Sequence, residues 1–332
     1  MPTDWAALIK KFRNLRVLVV GDIILDRWCT YDPRENAPSH QTGIPRLGVI
    51  QTEAAPGAGG AVANNIAALG AGRTSVLGVI GQDGFGFELE RALSKRSIDY
   101  SLLVATPDLQ TSVFSRLVSS ETGVEDKPRV DYINRGPLPS EVEDQLIANF
   151  HLAYEKFDAI VISDHQPKSG GGVITPAFRE VLADVAERHN TITVVGDSRS
   201  HLHLYRNVVA KANAKEAENA SRELFDEIDF MRLRRAIGSQ PLVITRGESG
   251  AEIYTDDGVQ RLSAIATGDP VDTCAAGEAF DAGMALALRA GARIDSAVRF
   301  GTMVASVTIM KSGSGEASAE EVLAVADTMT PR

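Results

Sequence analysis

Short β-branched runs and longer segments of helical period take turns along this chain, and that alternation narrows its folds more than any other feature. Strand-like stretches occur at RVLVVG (16–21), TSVLGVIG (74–81), FDAIVIS (157–163), TITVVGD (191–197), NVVAKAN (207–213) and PLVITRG (241–247). Helix candidates lie at 58–70, 84–96, 139–155, 173–190, 214–237, 274–290, 295–311 and 318–327. The order predicts an α/β fold with a mainly parallel sheet, because parallel neighbours need crossovers long enough to hold a helix. No internal repeat is visible, and residues 1–332 are expected to form one domain.

Two regions break the rhythm. Residues 22–56 hold four prolines and no sustained helical period, while 100–134 offers YSLLVA, TSVFSRLVSS and RVDYIN in succession. Either they build a small β lid from about 22–56 and 100–134, able to exclude water from a site, or they are ordinary surface excursions.

A chain of 332 residues, 44% hydrophobic and 23% charged, can bury a substantial core. Its net charge of −10, with no Lys/Arg block, argues against a nucleic-acid surface. Cys29 and Cys274 are too few for a disulfide framework or a cysteine-based zinc site. The polar, amphipathic start MPTDWAALIKKF is not a signal peptide, and no apolar run approaches a membrane span. A cytoplasmic protein is the expectation.

In an open parallel sheet, ligands gather beyond the carboxyl ends of the strands. Asp22 follows the first strand and Asp26 comes soon after; Asp22 suits a polyol's hydroxyls or simply a turn. PGAGGAVANNIAALG (56–70) opens a helix with Gly57, Gly59 and Gly60 and sets Asn64 one turn on. Those glycines admit either a ligand or a close helix–strand contact. No Walker-type phosphate loop is present, and GQDGFG (81–86) reads as a strand end followed by a helix start.

DTCAAGEAF (272–280) is the sharpest segment. Ala275, Ala276 and Gly277 would expose backbone N–H groups at the positive end of a long helix, which suits phosphate. Glu278 beside them could accept the proton of an attacking hydroxyl. The alternative is a helix capped by Asp272 and Thr273, with Glu278 a solvated first-turn acid. Asn213 and Glu216, three apart after a strand, suit Mg²⁺ held through water. In TRGESGA (245–251), Thr245 and Gly247 stand where a nucleotide's phosphates could lie. His201 and His203 flank Leu202 and could form a metal pair on an extended strand, but no third ligand has a zinc-like spacing. Cys274, at the helix start, is either a thiol of lowered pKa or a small filler.

In order, GDIILD (21–26), GAGGAVANN (57–65), the N-x-x-E of Asn213 and Glu216, TRGESG (245–250) and D-T-x-A-A-G-E-x-F-x-x-G (272–283) resemble the motifs of ribokinase-like (PfkB) carbohydrate kinases. The resemblance spans about 15–327. Within the family, GDIILDRW, the SDH of 163–165 and GDSRS (196–200) look most like the kinases of D-glycero-D-manno-heptose 7-phosphate. Bifunctional members add an adenylyltransferase domain with an HxGH pattern, which this sequence lacks, so the stand-alone kinase form is expected.

The resemblance implies a three-layer sandwich with a mainly parallel central sheet and a β lid that also forms a homodimer contact. It implies ATP and Mg²⁺, with K⁺ as an optional assistant, acting on a sugar or sugar phosphate. Asp22, Asp26, Gly59, Gly60 and Asn64 would bind the sugar, and Ala275, Ala276 and Gly277 would form the anion hole. Thr245, Gly247, Gly250, the 300–311 helix, Asn213 and Glu216 would serve the nucleotide and its metal. One departure stands out: the family's catalytic base is Asp, and the matching residue here is Glu278, one methylene longer. The chain would then be a working kinase, a binding protein with impaired catalysis, or a nucleoside kinase on the same fold. Asp281, one turn on, is the other acid that could serve as base, but it sits about 4.5 Å further along the helix, which favours Glu278. Heptose kinases carry Lys-Gly where Arg199-Ser200 stands here; Arg199 could hold the 7-phosphate, with Lys127, Arg129 and Lys168 as further candidates.

Overall fold

The computed structural model describes residues 3–165, 171–189, 191–265 and 268–329. Its strands are Arg16–Gly21 (β1), Ile23–Asp32 (β2), Gly48–Ala58 (β3), Arg73–Leu77 (β4), Val79–Gly81 (β5), Val104–Thr106 (β6), Val113–Ser119 (β7), Val130–Tyr132 (β8), Ala159–Asp164 (β9), Thr193–Ser198 (β10), Val209–Asn213 (β11), Leu242–Thr245 (β12), Ala251–Thr255 (β13) and Gly258–Leu262 (β14). The helices are Trp5–Phe12 (α1), Gly59–Ala68 (α2), Gly84–Lys95 (α3), Ser140–Ala153 (α4), Pro176–Arg188 (α5), Ala214–Phe225 (α6), Phe230–Ile237 (α7), Ala276–Arg289 (α8), Ile294–Thr308 (α9) and Ala319–Met329 (α10).

The large sheet runs β14-β13-β12-β11-β10-β9-β1-β4, parallel from β12 to β4 and closed at the far edge by the antiparallel β13–β14 hairpin. Both faces of its central strands are buried, as a parallel sheet between helices requires. In β1, Val17 and Val19 join the core under α1, α2, α8, α9 and α10, while Leu18 and Val20 join the core under α4 to α7. From β1 the chain passes through α2 to β4 on one side and later enters β9 on the other, so a crevice opens above the ends of β1 and β9.

A second sheet, β3-β2-β7-β8, stands over that crevice and draws on both irregular regions. Residues 100–105, expected in the lid, are not part of it: β6 pairs instead with β5 in a separate two-stranded sheet. The run 74–81, read as one strand, is two, since β4 stays in the large sheet and β5 leaves it. Gly78 at the break packs on β1, where a Cβ would come within 2.5 Å of the Gly21 carbonyl oxygen. The segment 214–237, read as one helix, is broken by left-handed Asp226 and restarted by Asp229, whose side chain caps Arg232 N–H. α1 was not foreseen as a helix; it buries Leu8 and Phe12. Among the described residues, no helix is long and apolar enough to cross a membrane.

Helices α8 and α9 meet through Gly283 and Gly301, and a Cβ on Gly301 would lie 2.7 Å from the Phe280 carbonyl oxygen. Gly301→Ala should therefore lower stability by about 1–3 kcal/mol through overpacking, despite alanine's better helix propensity. Denaturant unfolding with an unchanged m-value would check this, and an equal or higher midpoint would contradict it.

Candidate active site

A cavity of about 470 Å³ opens between the strand ends and the lid. It is lined by Asp26, Arg116 and Arg129 on one side, by His165, Asp197, Arg199, Lys211, Asn213, Glu216 and Thr245 along the strand ends, and by 273–278 at the start of α8. Ala275 sits in the left-handed region (φ 60°) as the N-cap of α8. The first intrahelical bond runs from Ala279 N–H to Ala275 C=O at 2.9 Å, so the amides of Gly277 and Glu278 precede it and belong to the helix's positive end. Asp272 pins the turn by accepting from Cys274 N–H (2.8 Å) and Gly313 N–H (3.2 Å).

Glu278 lines the same cavity, its side chain only 14% exposed and its Oε1 3.4 Å from His165 Nδ1. A buried row of charges continues from there. His165 Nε2 lies 3.3 Å from Asp197 Oδ2, which also accepts from Lys211 Nζ at 2.8 Å, and Lys211 Nζ reaches Asp281 Oδ2 at 3.1 Å. Burial works against the charged imidazole, yet Asp197 and Glu278 outweigh it and raise His165 above its ordinary pKa. Lys211 is raised and Asp197 lowered by their mutual attraction, which outweighs the burial opposing both, whereas burial drives Asp281 upward. Asp281 is thus bound to Lys211 beneath the helix and cannot act as the base. A Cβ at position 277 would meet Lys211 Nζ at 3.1 Å, so Gly277 lets the ammonium approach the first turn.

The structure divides the residues expected at the site. Asp26, Arg199, Asn213, Glu216, Thr245 and Ala275 to Glu278 share the cavity. Asp22 does not line it: its carboxylate accepts from His165 N–H (2.8 Å) and Val173 N–H (3.1 Å) and borders a small neighbouring hollow with Gln110 and Asn134. Nor do Gly59 and Gly60, whose bare backbones admit Ile23 and Pro56, the close helix–strand contact left open above. Asn64 is nearly buried and also lies off the cavity, as do Gly247, in a 3-10 turn, and Gly250, packed on Leu262. Asn213 and Glu216 form a reciprocal capping box at α6, with Asn213 Oδ1 accepting from Glu216 N–H and Glu216 Oε2 from Asn213 N–H. Their spacing therefore has a structural cause; Glu216 Oε1 remains as a hard donor beside the cavity.

His201 and His203 are not on an extended strand. His201 caps a 3-10 turn, Leu202–Leu204, that contains His203; His201 meets Asp164 and His203 meets Glu223, so the metal pair falls away. Cys274 is no activated thiol: burial, against the pull of Arg116 at 3.0 Å, pushes it up to about 11. Lys127 pairs with Asp126 over the Tyr31 ring, and Arg129 pairs with Asp131 over Phe114. Lys168 lies outside the described residues. Sequence reasoning missed His165, Lys211 and Arg116 as parts of the site; His165 could have been found, since it directly follows β9.

Burial and the nearby Glu278 raise Asp26 to about 6, against Arg116, and burial with Asp164 raises Asp22 to about 6. A carboxyl raised on folding keeps its proton in the native state after the unfolded chain has lost it. Stability held at low pH is then lost as pH climbs from about 4 through about 6. Thermal midpoints across that window should fall less steeply in Asp26→Asn than in the wild type, and parallel curves would contradict the assignment.

The pfkB family carbohydrate kinase pattern matches residues 14–321. Bifunctional protein HldE of Geobacter metallireducens is 30% identical over 96% of this chain, and its counterpart in Trichlorobacter lovleyi is 26% identical over the same share. The chain spans 64% of the length of each. Among solved structures, Escherichia coli phosphofructokinase-2 superposes with a TM-score of 0.71 at 17% identity, covering 95% of this chain and 99% of that one. Ribokinase from Thermotoga maritima gives 0.69 at 20% identity, covering 94% and 99%. Those likenesses establish a ribokinase-like α/β fold, and with the match along almost the whole sequence they have one consequence: the chain belongs to the pfkB family of carbohydrate kinases.

Proposed function

We propose that this chain transfers the γ-phosphoryl group of ATP to a hydroxyl of a sugar or sugar phosphate, with D-glycero-D-manno-heptose 7-phosphate the first acceptor to test. The observation that carries the reading is the shared cavity of Glu278 and the turn 275–277, a cradle where the Gly277 and Glu278 amides open α8 while Ala276 N–H is held by Thr273 C=O. The acceptor oxygen attacks the γ-phosphorus, the bond to the β–γ bridging oxygen breaks, and ADP leaves. The hydroxyl proton passes to Glu278, and the cradle, with Lys211 beneath it, takes up charge on the phosphoryl oxygens. Glu216 Oε1 would hold Mg²⁺ through water, and the ion when bound would offset phosphate charge. Arg199 supports a phosphorylated acceptor, because it brings a guanidinium to the wall of the cavity. The heptose assignment draws on the segments noted above and on relatives named bifunctional protein HldE.

A cytoplasmic setting suits the two free cysteines. ADP release should be seen with Mg-ATP and the heptose phosphate. Glu278→Gln should lower kcat by about 10²- to 10⁴-fold, while Arg199→Ala should mainly raise KM for phosphorylated acceptors. Full activity in Glu278→Gln would remove the base.

The lid exposes Val49, Ile50 and Val124, with Ile50 at 59%, which supports a homodimer formed through it. Sedimentation should give a dimer for the wild type and a monomer for Ile50→Asp; a monomeric wild type would refute the contact.

A further inference from the structure

The imidazole of His165 stands between two carboxylates, with Glu278 Oε1 3.4 Å from Nδ1 and Asp197 Oδ2 3.3 Å from Nε2. Its side chain is only 8% exposed, and among the described residues Nδ1 makes no hydrogen bond: Glu278 Oε1 stands beside it at ion-pair distance. A neutral ring holds one N–H, so either tautomer would turn a lone pair toward one of the two carboxylates; only the imidazolium offers a donor to both. Asp197 in turn is fixed by Lys211, and Lys211 by Asp281. His165 is anchored from the other side too, because its backbone N–H donates to Asp22 at 2.8 Å. Residues of three consecutive strands or their ends, His165 after β9, Asp197 in β10 and Lys211 in β11, thus form one row that reaches Glu278 through His165.

We infer that His165, as the imidazolium, is the positioning residue that fixes the Glu278 carboxylate at the amide cradle. The inference rests on Glu278 serving as the base in the reading above. Glutamate has one more rotatable bond than aspartate, so its carboxylate sweeps a larger volume, and displacement by about 1 Å can lower a rate on the order of 100-fold. Coulombic attraction to a buried cation at 3.4 Å restrains that freedom at one end while leaving Oε2 for the acceptor hydroxyl. His165 keeps its own proton throughout and touches no reacting atom.

Kinetics and magnetic resonance test the inference separately. His165→Ala should lower kcat about tenfold or more with little change in KM, and His165→Gln, which retains an N–H donor, should recover part of the loss. Adding His165→Ala to Glu278→Gln should produce no further fall, since the carboxylate being positioned is already gone. An unchanged kcat in His165→Ala, or the same fold loss in both backgrounds, would overturn the role. Should no acceptor be turned over at all, the function above fails while ¹⁵N-histidine spectra of the ligand-free protein still decide this point. Both ring nitrogens of His165 should be protonated at neutral pH, and the Nδ1 signal should move in Glu278→Gln. A neutral tautomer, or a signal indifferent to position 278, would overturn the contact.

Discussion

Lys211 carries a positive charge into the interior directly under the first turn of α8, and the candidate site is arranged around that charge. An ammonium at the positive end of a helix is repelled by the backbone dipole and stripped of water, a combination that destabilises by several kcal/mol without partners. Asp197 and Asp281 supply the partners, the first on β10 beside it and the second one turn into α8. The arrangement explains why position 277 is bare and why Asp281 faces inward. On the proposed reading, dipole and ammonium would act together on an anion held at the start of α8. Removing Asp197 or Lys211 would leave a buried charge unmatched, so the two are best regarded as one unit.

Much of the architecture was legible because it is written in period. Alternation of β-branched runs and helical segments gave the parallel sheet and its two covering layers, and the bare stretch before Glu278 marked the start of α8 where it is found. Features that depend on what lies beside what were not legible. β4 and β5 read as one strand because only the approach of Gly78 to Gly21 separates them. The 214–237 helix looked continuous because a single left-handed residue, Asp226, carries no strong periodic signature.

The site shows the same division. Glu278 and the cradle are neighbours in sequence and could be read together. Residues 165, 197 and 211 come together only because β9, β10 and β11 are adjacent in the sheet, an order that no spacing reveals. Lys211 lies within a strand-like run and reads as an ordinary charge. The N-x-x-E pair shows a short-range signal with a local cause as well, the capping box of α6, whose spacing alone does not point to the cavity that both residues line. The glycines after β3 likewise serve packing of α2 on Ile23 and Pro56.

The two long strands of the lid leave and rejoin the body at one point, where Ile23 pairs with Ala58 and Gly59 N–H bonds the Asp22 carbonyl. Gly21 at that crossing has φ +131° and lies so near the Ser163 carbonyl that a Cβ would come within 2.1 Å. The base of the cover is thereby tied to both β9 and the first turn of α2, while further along it is held to α3 by Arg27 and Glu88 and to the start of α8 by Arg116 and Cys274. A side chain at position 21 would therefore disturb the base of the cover, the end of β9 and the backbone of Asp22 together, since Asp22 N–H bonds the same Ser163 carbonyl.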